Sequence, residues 1–156
     1  MIFVDIRDEQ KICSLNRRAV RAFLKEAVRC LLPGRSCRLS LVLVEDNAIR
    51  RLNARYLGKP WPTDVLAFSM REGPVLSGDS SLLGDLMIST EMALRNAKRF
   101  RSSLDREFAL YLVHGLLHLL GYEDKTPSQK RRMRKEEQRV LRHCARFVSL
   151  KELITT

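Results

Sequence analysis

The chain lacks the sequence features of exported and membrane-spanning proteins. Residues 1–10 alternate apolar and charged side chains, without the basic start and apolar run of a signal peptide. The four cysteines form no C-x2-C pair, and without a secretion signal they are expected to be reduced thiols. The apolar stretch Phe108–Leu120 is too short to span a bilayer. These absences predict a cytoplasmic protein with no membrane partner, and we expect no nucleotide cofactor.

Acidic residues are scarce relative to basic ones. The chain has 18 Asp and Glu against 29 Lys and Arg, which gives a formal net charge of +11. The basic residues cluster in segments 95–101 and 125–146. Because Lys and Arg that neutralise phosphates release counterions, this excess predicts a polyanionic partner such as RNA. Solvated helix faces account for part of the same charge.

The apolar pattern predicts one α+β domain over residues 1–156, with helices packed on a four-stranded mixed sheet. Alternating apolar residues predict strands at Met1–Ile6, Cys37–Val44, Val65–Met70 and Leu82–Ser89. Helical periodicity predicts five helices, of which two have both bounds: Leu15–Leu32 and Thr90–Arg99. Capping signals give the starts of the other three, after Asp46, after Ser102 or Ser103, and after a capping box at residues 126–129. Residues 71–81 are rich in Gly, Ser and Pro, and this composition predicts a mobile loop. Because no helix separates the third and fourth strands, we expect these two to pair antiparallel.

Two of the three histidines lie four residues apart in the apolar helix. His114 and His118 share one helix face, and imidazoles in a helix without a polar face need partners. Gly121 can adopt the left-handed conformation that ends a helix, so the chain can return Asp124 to the same point. Three protein ligands and one open position are typical of a catalytic zinc site. The spacing therefore predicts one divalent metal ion, zinc, on a zincin-like helix; the alternative is two core histidines with ordinary hydrogen bonds. His143 is expected to be a solvated surface residue.

The metal motif lacks the general base of a zinc protease. Its spacing, H-x3-H-x2-G-x2-D, resembles the metzincin pattern, but Gly115 stands where a protease has Glu after the first histidine. This departure argues against a metallopeptidase. A non-haem iron site is a further alternative, since two histidines and one carboxylate suit Fe(II). No other side chain is an obvious general base, so the catalytic base stays unassigned.

Three motifs in order along the chain resemble one known family. The segments are Pro62–Phe68 (PTDVLAF), Leu83–Ser89 (LGDLMIS) and His114–Asp124 (HGLLHLLGYED), with Leu52, Asn53 and Tyr56 ahead of them. They resemble the YbeY family of single-strand-specific, metal-dependent endoribonucleases, over essentially the whole chain. The resemblance implies action in ribosomal RNA maturation and ribosome quality control, on RNA and in contact with a ribosomal subunit.

The sequence also departs from the family pattern. Asp124 stands where the resemblance implies a third histidine, Leu57 where it implies an arginine that serves the RNA or the reaction, and Ala67 where it implies a serine. We expect Arg55 or Lys59 to bind phosphate instead, and Asp85 to orient a ligand histidine. These departures leave open an alternative function, a catalytically weakened RNA- or ribosome-binding protein that keeps the metal fold.

Overall fold

The sheet and helices follow the predicted order along the chain. The computed structural model describes residues 1–59, 61, 63–69 and 82–155. Its strands are β1 Ile2–Asp8, β2 Ser14–Leu15, β3 Cys37–Val44, β4 Val65–Ser69, β5 Leu82–Ser89 and β6 Ile154–Thr155. Its α-helices are α1 Arg17–Leu31, α2 Asp46–Leu57, α3 Thr90–Arg99, α4 Leu104–Leu119 and α5 Pro127–Ala145, and a 3-10 helix spans Leu150–Glu152. The end of the predicted third strand, Met70, and the predicted loop 71–81 lie outside the described residues.

The main sheet is mixed, in the order β1-β3-β5-β4. Strands β1, β3 and β5 are parallel, whereas β4 pairs antiparallel with β5, with Val65 opposite Ile88. This confirms the predicted α+β class and the antiparallel pairing of the third and fourth predicted strands. A second sheet, which the sequence did not predict, joins β2 to β6.

The core lies between one face of the sheet and helices α1, α4 and α5. Alternate residues of β3, such as Leu39 and Leu41, are fully buried there beside Phe23 of α1 and Phe108 of α4. Helix α2 covers part of the opposite face, where Ile49 belongs to a smaller buried cluster. The sheet therefore has helices on both faces, and α4 belongs to the layer that covers the main core. Among the described residues, no helix is long and apolar enough to cross a membrane.

The outer strand β1 is held to α1 by side-chain hydrogen bonds. The Arg17 guanidinium donates to the carbonyl of Ile6 at 2.8 Å, and the Arg21 Nε donates to the carbonyl of Val4 at 3.1 Å. Helix α1 itself begins after Asn16, whose side chain accepts a hydrogen bond from the Ala19 amide at 3.1 Å. The capped helix thus places two cations along the edge of the sheet.

Three local expectations differ from the structure. The residue before α2 is Glu45, so Asp46 is not its cap; the Asp46 carboxylate instead accepts from the Ser89 hydroxyl at 2.6 Å. Ser103 precedes α4 as expected, but its side chain makes no capping hydrogen bond. His143 is only partly exposed, and its Nε2 lies 3.4 Å from the Glu26 carboxylate on the neighbouring α1.

Candidate metal centre and cleft

The end of α4 determines where the candidate metal ligands lie. The Gly121 amide donates to the carbonyl of His118 and the Tyr122 amide to that of Leu117, both at 3.0 Å. Gly121 has φ +95°, a conformation that favours glycine. This glycine-dependent helix end reverses the chain direction. It confirms the predicted role of Gly121 and brings residue 124 back beside the helix.

His114, His118 and Asp124 form a close triangle of donor atoms. The two Nε2 atoms lie 3.0 Å apart, and the Asp124 Oδ2 lies 3.3 Å from His114 Nε2 and 3.4 Å from His118 Nε2. The neighbouring carboxylate, Glu123, instead accepts a hydrogen bond from the Gln129 side chain at 3.2 Å. The structure therefore brings together the three residues expected to bind metal.

The donor set fits a tetrahedral divalent ion. With bonds of about 2.0–2.1 Å to zinc, tetrahedral geometry separates ligand atoms by about 3.3 Å. The three observed separations, 3.0, 3.3 and 3.4 Å, lie close to that value. All three side chains are partly exposed, so a fourth position can face the solvent. These residues could hold one metal ion.

Glu137 of α5 fixes the orientation of His114. Its Oε1 lies 2.8 Å from His114 Nδ1, and the Glu137 side chain is only 8% exposed. A carboxylate that accepts from Nδ1 leaves the Nε2 lone pair free for a metal. Sequence reasoning missed this residue. It could have been noticed as the one carboxylate on the buried face of α5, which is otherwise apolar. The buried residues of this helix are Met133, Glu137, Val140 and Cys144.

The electrostatics of His114 reflect the same contact. Burial lowers the pKa of His114, but the hydrogen bond and the charge of Glu137 raise it, with smaller contributions from Asp64 and Asp124. The net result is a pKa above the ordinary value of 6.5. In the metal-free protein the imidazole is therefore a better proton acceptor than a free histidine, and protons compete with a metal ion for this site as the pH falls.

Gly115 lies against the sheet and not toward the metal site. A Cβ at this position would lie 2.8 Å from Leu86 Cδ2 and 2.9 Å from Val65 Cγ1. Gly84 on β5 makes a similar close approach, since its Cβ would lie 2.8 Å from Leu119 Cδ2. The absent protease glutamate thus has a structural reason: α4 packs so closely on β4 and β5 at residue 115 that a side chain there would collide with Leu86 and Val65.

The other predicted site residues have different positions. Asp85 is exposed and alternates along β5 with Leu86, which contacts α4, so its side chain lies on the opposite face of the sheet from the histidines. It does not take the predicted position beside a ligand histidine; for His114, Glu137 does. Arg55 lies over the Tyr56 ring, 5.4 Å from its centroid, and Lys59 lines the cleft described next.

A cleft of about 460 Å³ opens beside the histidines. One wall carries the end of α2 and the start of β4, and the other wall is the metal loop, residues 121–125. Its lining includes Leu57, Lys59, Trp61, Phe68, His118 and Asp124. The cleft therefore combines candidate metal ligands with cationic and aromatic side chains, and its volume is within the range of about 300–1,000 Å³ for small-molecule sites.

Comparison with known proteins identifies similar chains over most of this length. The family described as Endoribonuclease YbeY matches residues 4–145. The Endoribonuclease YbeY of Syntrophus aciditrophicus (strain SB) is 37% identical over 137 residues, covering 86% of this chain and 85% of the relative. That of Desulfitobacterium hafniense (strain Y51) is 35% identical over 150 residues, covering 90% and 96%. A solution structure of a Thermotoga maritima protein has a similar fold, with a TM-score of 0.59 at 22% identity, covering 93% of this chain and 89% of that chain.

Proposed function

The chain belongs to the YbeY family of endoribonucleases, and from this premise we propose that it is a metal-dependent endoribonuclease that cuts single-stranded RNA. The proposed substrate is ribosomal RNA, cut during its maturation and during ribosome quality control, in the cytoplasm and in contact with a ribosomal subunit. Residues 1–156 act as one catalytic domain in this proposal. The net charge of +11 supports a polyanionic substrate.

The observation that carries the proposal is the donor triangle of His114, His118 and Asp124. Its separations of 3.0–3.4 Å suit one divalent ion, and we propose zinc. A divalent ion bound there would acidify a water molecule and polarise a phosphoryl oxygen. Glu137 lies 2.8 Å from His114 Nδ1, where it would accept the Nδ1 proton and leave Nε2 for the metal.

The remaining cleft residues bind and position the RNA backbone in this proposal. Lys59 and Lys125 lie on opposite walls of the cleft that contains His118. Both can neutralise phosphate, and exposed Arg55 extends the cationic surface of α2. Leu57, where an arginine is expected from the family, leaves an apolar surface in the same wall. No general base is assigned.

The test combines metal analysis with RNA cleavage. Protein purified without a histidine tag should contain one metal per chain and should cut a single-stranded ribosomal RNA fragment but not its duplex. A chelator should stop cleavage, and His118→Ala should lose both metal and activity. His143→Ala is the matched control, because His143 lies on α5 beside Glu26 and away from the triangle. Stoichiometric metal in a protein with both His114 and His118 replaced by alanine would refute the assignment.

Leu57 favours a second candidate function, RNA or ribosome binding without efficient cleavage. An apolar side chain in the cleft offers no contact to a phosphate in the transition state. Salt-sensitive RNA binding with full metal content but no chelator-sensitive cleavage would support this candidate. Gain of cleavage by Leu57→Arg would then identify the missing contact.

A further inference from the structure

Trp61 is an exposed aromatic residue in the wall of the cleft that contains His118 and Asp124. It is the single tryptophan of the chain, and 56% of its surface is exposed. It lies between α2 and β4 and lines the same cleft as His118 and Asp124. A tryptophan is usually one of the more buried residues of a domain, so an exposed one beside a metal site calls for a partner.

The backbone of Trp61 is held in place by a buried side chain. Asn53 of α2 is only 2% exposed, and its Nδ2 donates to the Trp61 carbonyl at 2.9 Å. A buried amide is costly unless it is hydrogen-bonded, so this contact ties the residue firmly to α2. The peptide is therefore anchored while the indole stays in the cleft.

The surroundings of Trp61 suit a flat, polyanionic ligand. Phe68, also in the cleft wall, packs edge-to-face on Tyr56 with ring centroids 5.6 Å apart, which adds a second aromatic surface. Lys59 and Lys125 bring two cations to the same cleft. Aromatic faces for bases and cations for the backbone together are typical of proteins that bind single-stranded nucleic acid.

We propose that Trp61 stacks on one unpaired base of the RNA and so holds the strand in the cleft beside the donor triangle. The inference rests on the proposed endoribonuclease function and names how the cleft selects its substrate. A base within a duplex is stacked on both faces and cannot offer one to the indole. Because every base has a π-face, the selection is for unpaired nucleotides and not for a sequence.

The indole itself reports the contact, since no other tryptophan contributes to the fluorescence. Stopped-flow mixing of the metal-loaded protein with single-stranded RNA should quench the emission before cleavage. A ribose-phosphate oligomer without bases, and a duplex of the same sequence, should leave the emission nearly unchanged. Equal quenching by the abasic oligomer would overturn the proposal, because the backbone alone would then explain the signal.

Variants separate stacking from packing. Trp61→Ala should raise KM for single-stranded RNA by about 5- to 140-fold, the range for loss of one base–aromatic contact, with kcat little changed. Trp61→Phe should restore most of the affinity, whereas Trp61→Leu, which keeps apolar bulk without a π-face, should not. The matched control is Phe100→Ala: Phe100 is 61% exposed and lies beside Arg99, but it follows α3 and does not line the cleft.

The outcomes distinguish this inference from the proposed function. If the native protein cuts RNA in a chelator-sensitive way but Trp61→Ala has an unchanged KM, base stacking by Trp61 is refuted and the proposed endoribonuclease function stands. An apolar segment of a partner protein would then be the better candidate to contact Trp61. Absence of both RNA binding and RNA cleavage in the native protein would refute the two together. A change in metal content or thermal unfolding that matches the loss of affinity in Trp61→Ala would assign the residue a structural role instead.

Discussion

Replacement of Glu137 tests whether α5 controls the metal site from outside it. Glu137 is buried, at 6% exposure, and its carboxylate lies 2.8 Å from His114 Nδ1. Glu137→Gln keeps a hydrogen-bond acceptor but removes the charge, and Glu137→Ala removes both. If the carboxylate fixes the imidazole and increases its basicity, both variants should bind metal more weakly while all three ligands remain.

The expected magnitudes follow from the contact. A hydrogen bond to a charged group contributes about 1.5–3 kcal/mol, against about 0.5–1.5 for a neutral pair, so loss of the charge alone should weaken metal binding roughly tenfold. Loss of the whole side chain in Glu137→Ala should weaken metal binding by about 100-fold. This is the upper end of the 10–100-fold range for such partners, and we expect it because burial limits screening by solvent. The measurement is competition for metal against a chelator of known affinity.

The control for Glu137 is a neighbouring carboxylate. Glu136→Gln removes a charge one residue away on α5, where the carboxylate pairs with Arg139 at 2.8 Å. It should leave the metal Kd unchanged. Equal metal affinity in Glu137→Ala, Glu136→Gln and the native protein would refute the reasoning and would reduce Glu137 to a packing residue.

The same contact has a pH signature in the metal-free protein. The pKa of His114 is raised above its ordinary value of 6.5, burial being outweighed by the Glu137 hydrogen bond and charge. Its contribution to stability is therefore fully present below about pH 6.5 and is lost as the pH rises through the folded pKa. Denaturant unfolding of the native protein and of Glu137→Gln across this range measures the difference. Parallel curves would contradict the expectation.

The remaining predictions concern the packing of α4, the third ligand and the basic surface. Gly115→Ala should lower the free energy of unfolding by about 1–3 kcal/mol in a urea titration, because its Cβ would crowd Leu86 and Val65. Asp124→Ala should lose metal, whereas Asp124→His should keep it. The histidine variant should reach half-maximal activity at lower pH than the native protein, because a neutral ligand leaves the metal more positive and its bound water more acidic. Identical behaviour of the two variants would exclude residue 124 as a ligand. RNA affinity should fall steeply with salt, and charge reversal of exposed α5 residues should weaken binding to all sequences about equally. The residues to reverse are Arg131, Arg132 and Arg134.

Local signals account for the parts of the fold that were predicted correctly. Strands β3 and β5 have the predicted bounds, because their alternating apolar residues line the core face of the sheet. The start of α5 was also predicted, since the Thr126 hydroxyl accepts from the Gln129 amide at 3.1 Å in a capping box. Donor types and spacing likewise predicted that His114, His118 and Asp124 lie close together. In each case the information lies within a few residues of sequence.

Contacts between distant segments could not be predicted in the same way. Glu137 lies 23 residues from His114, and the contact depends on how α5 packs on α4. The β2–β6 sheet pairs Leu15 with Ile154 through strands of two residues each, too short to show a pattern. Asp46 has the chemistry of a helix cap, but its carboxylate bonds to Ser89, 43 residues away. Tertiary packing decides between such local alternatives.

The two arginines that bond to β1 have a consequence for behaviour at high protein concentration. An outer strand with free carbonyl groups is a template for another chain, and this is a common route to aggregation. In β1 the carbonyls of Val4 and Ile6 already accept hydrogen bonds from Arg21 and Arg17. A second strand that added to β1 would first have to break both bonds. The folded chain is therefore less able to extend its sheet through β1 when many copies of it are close together.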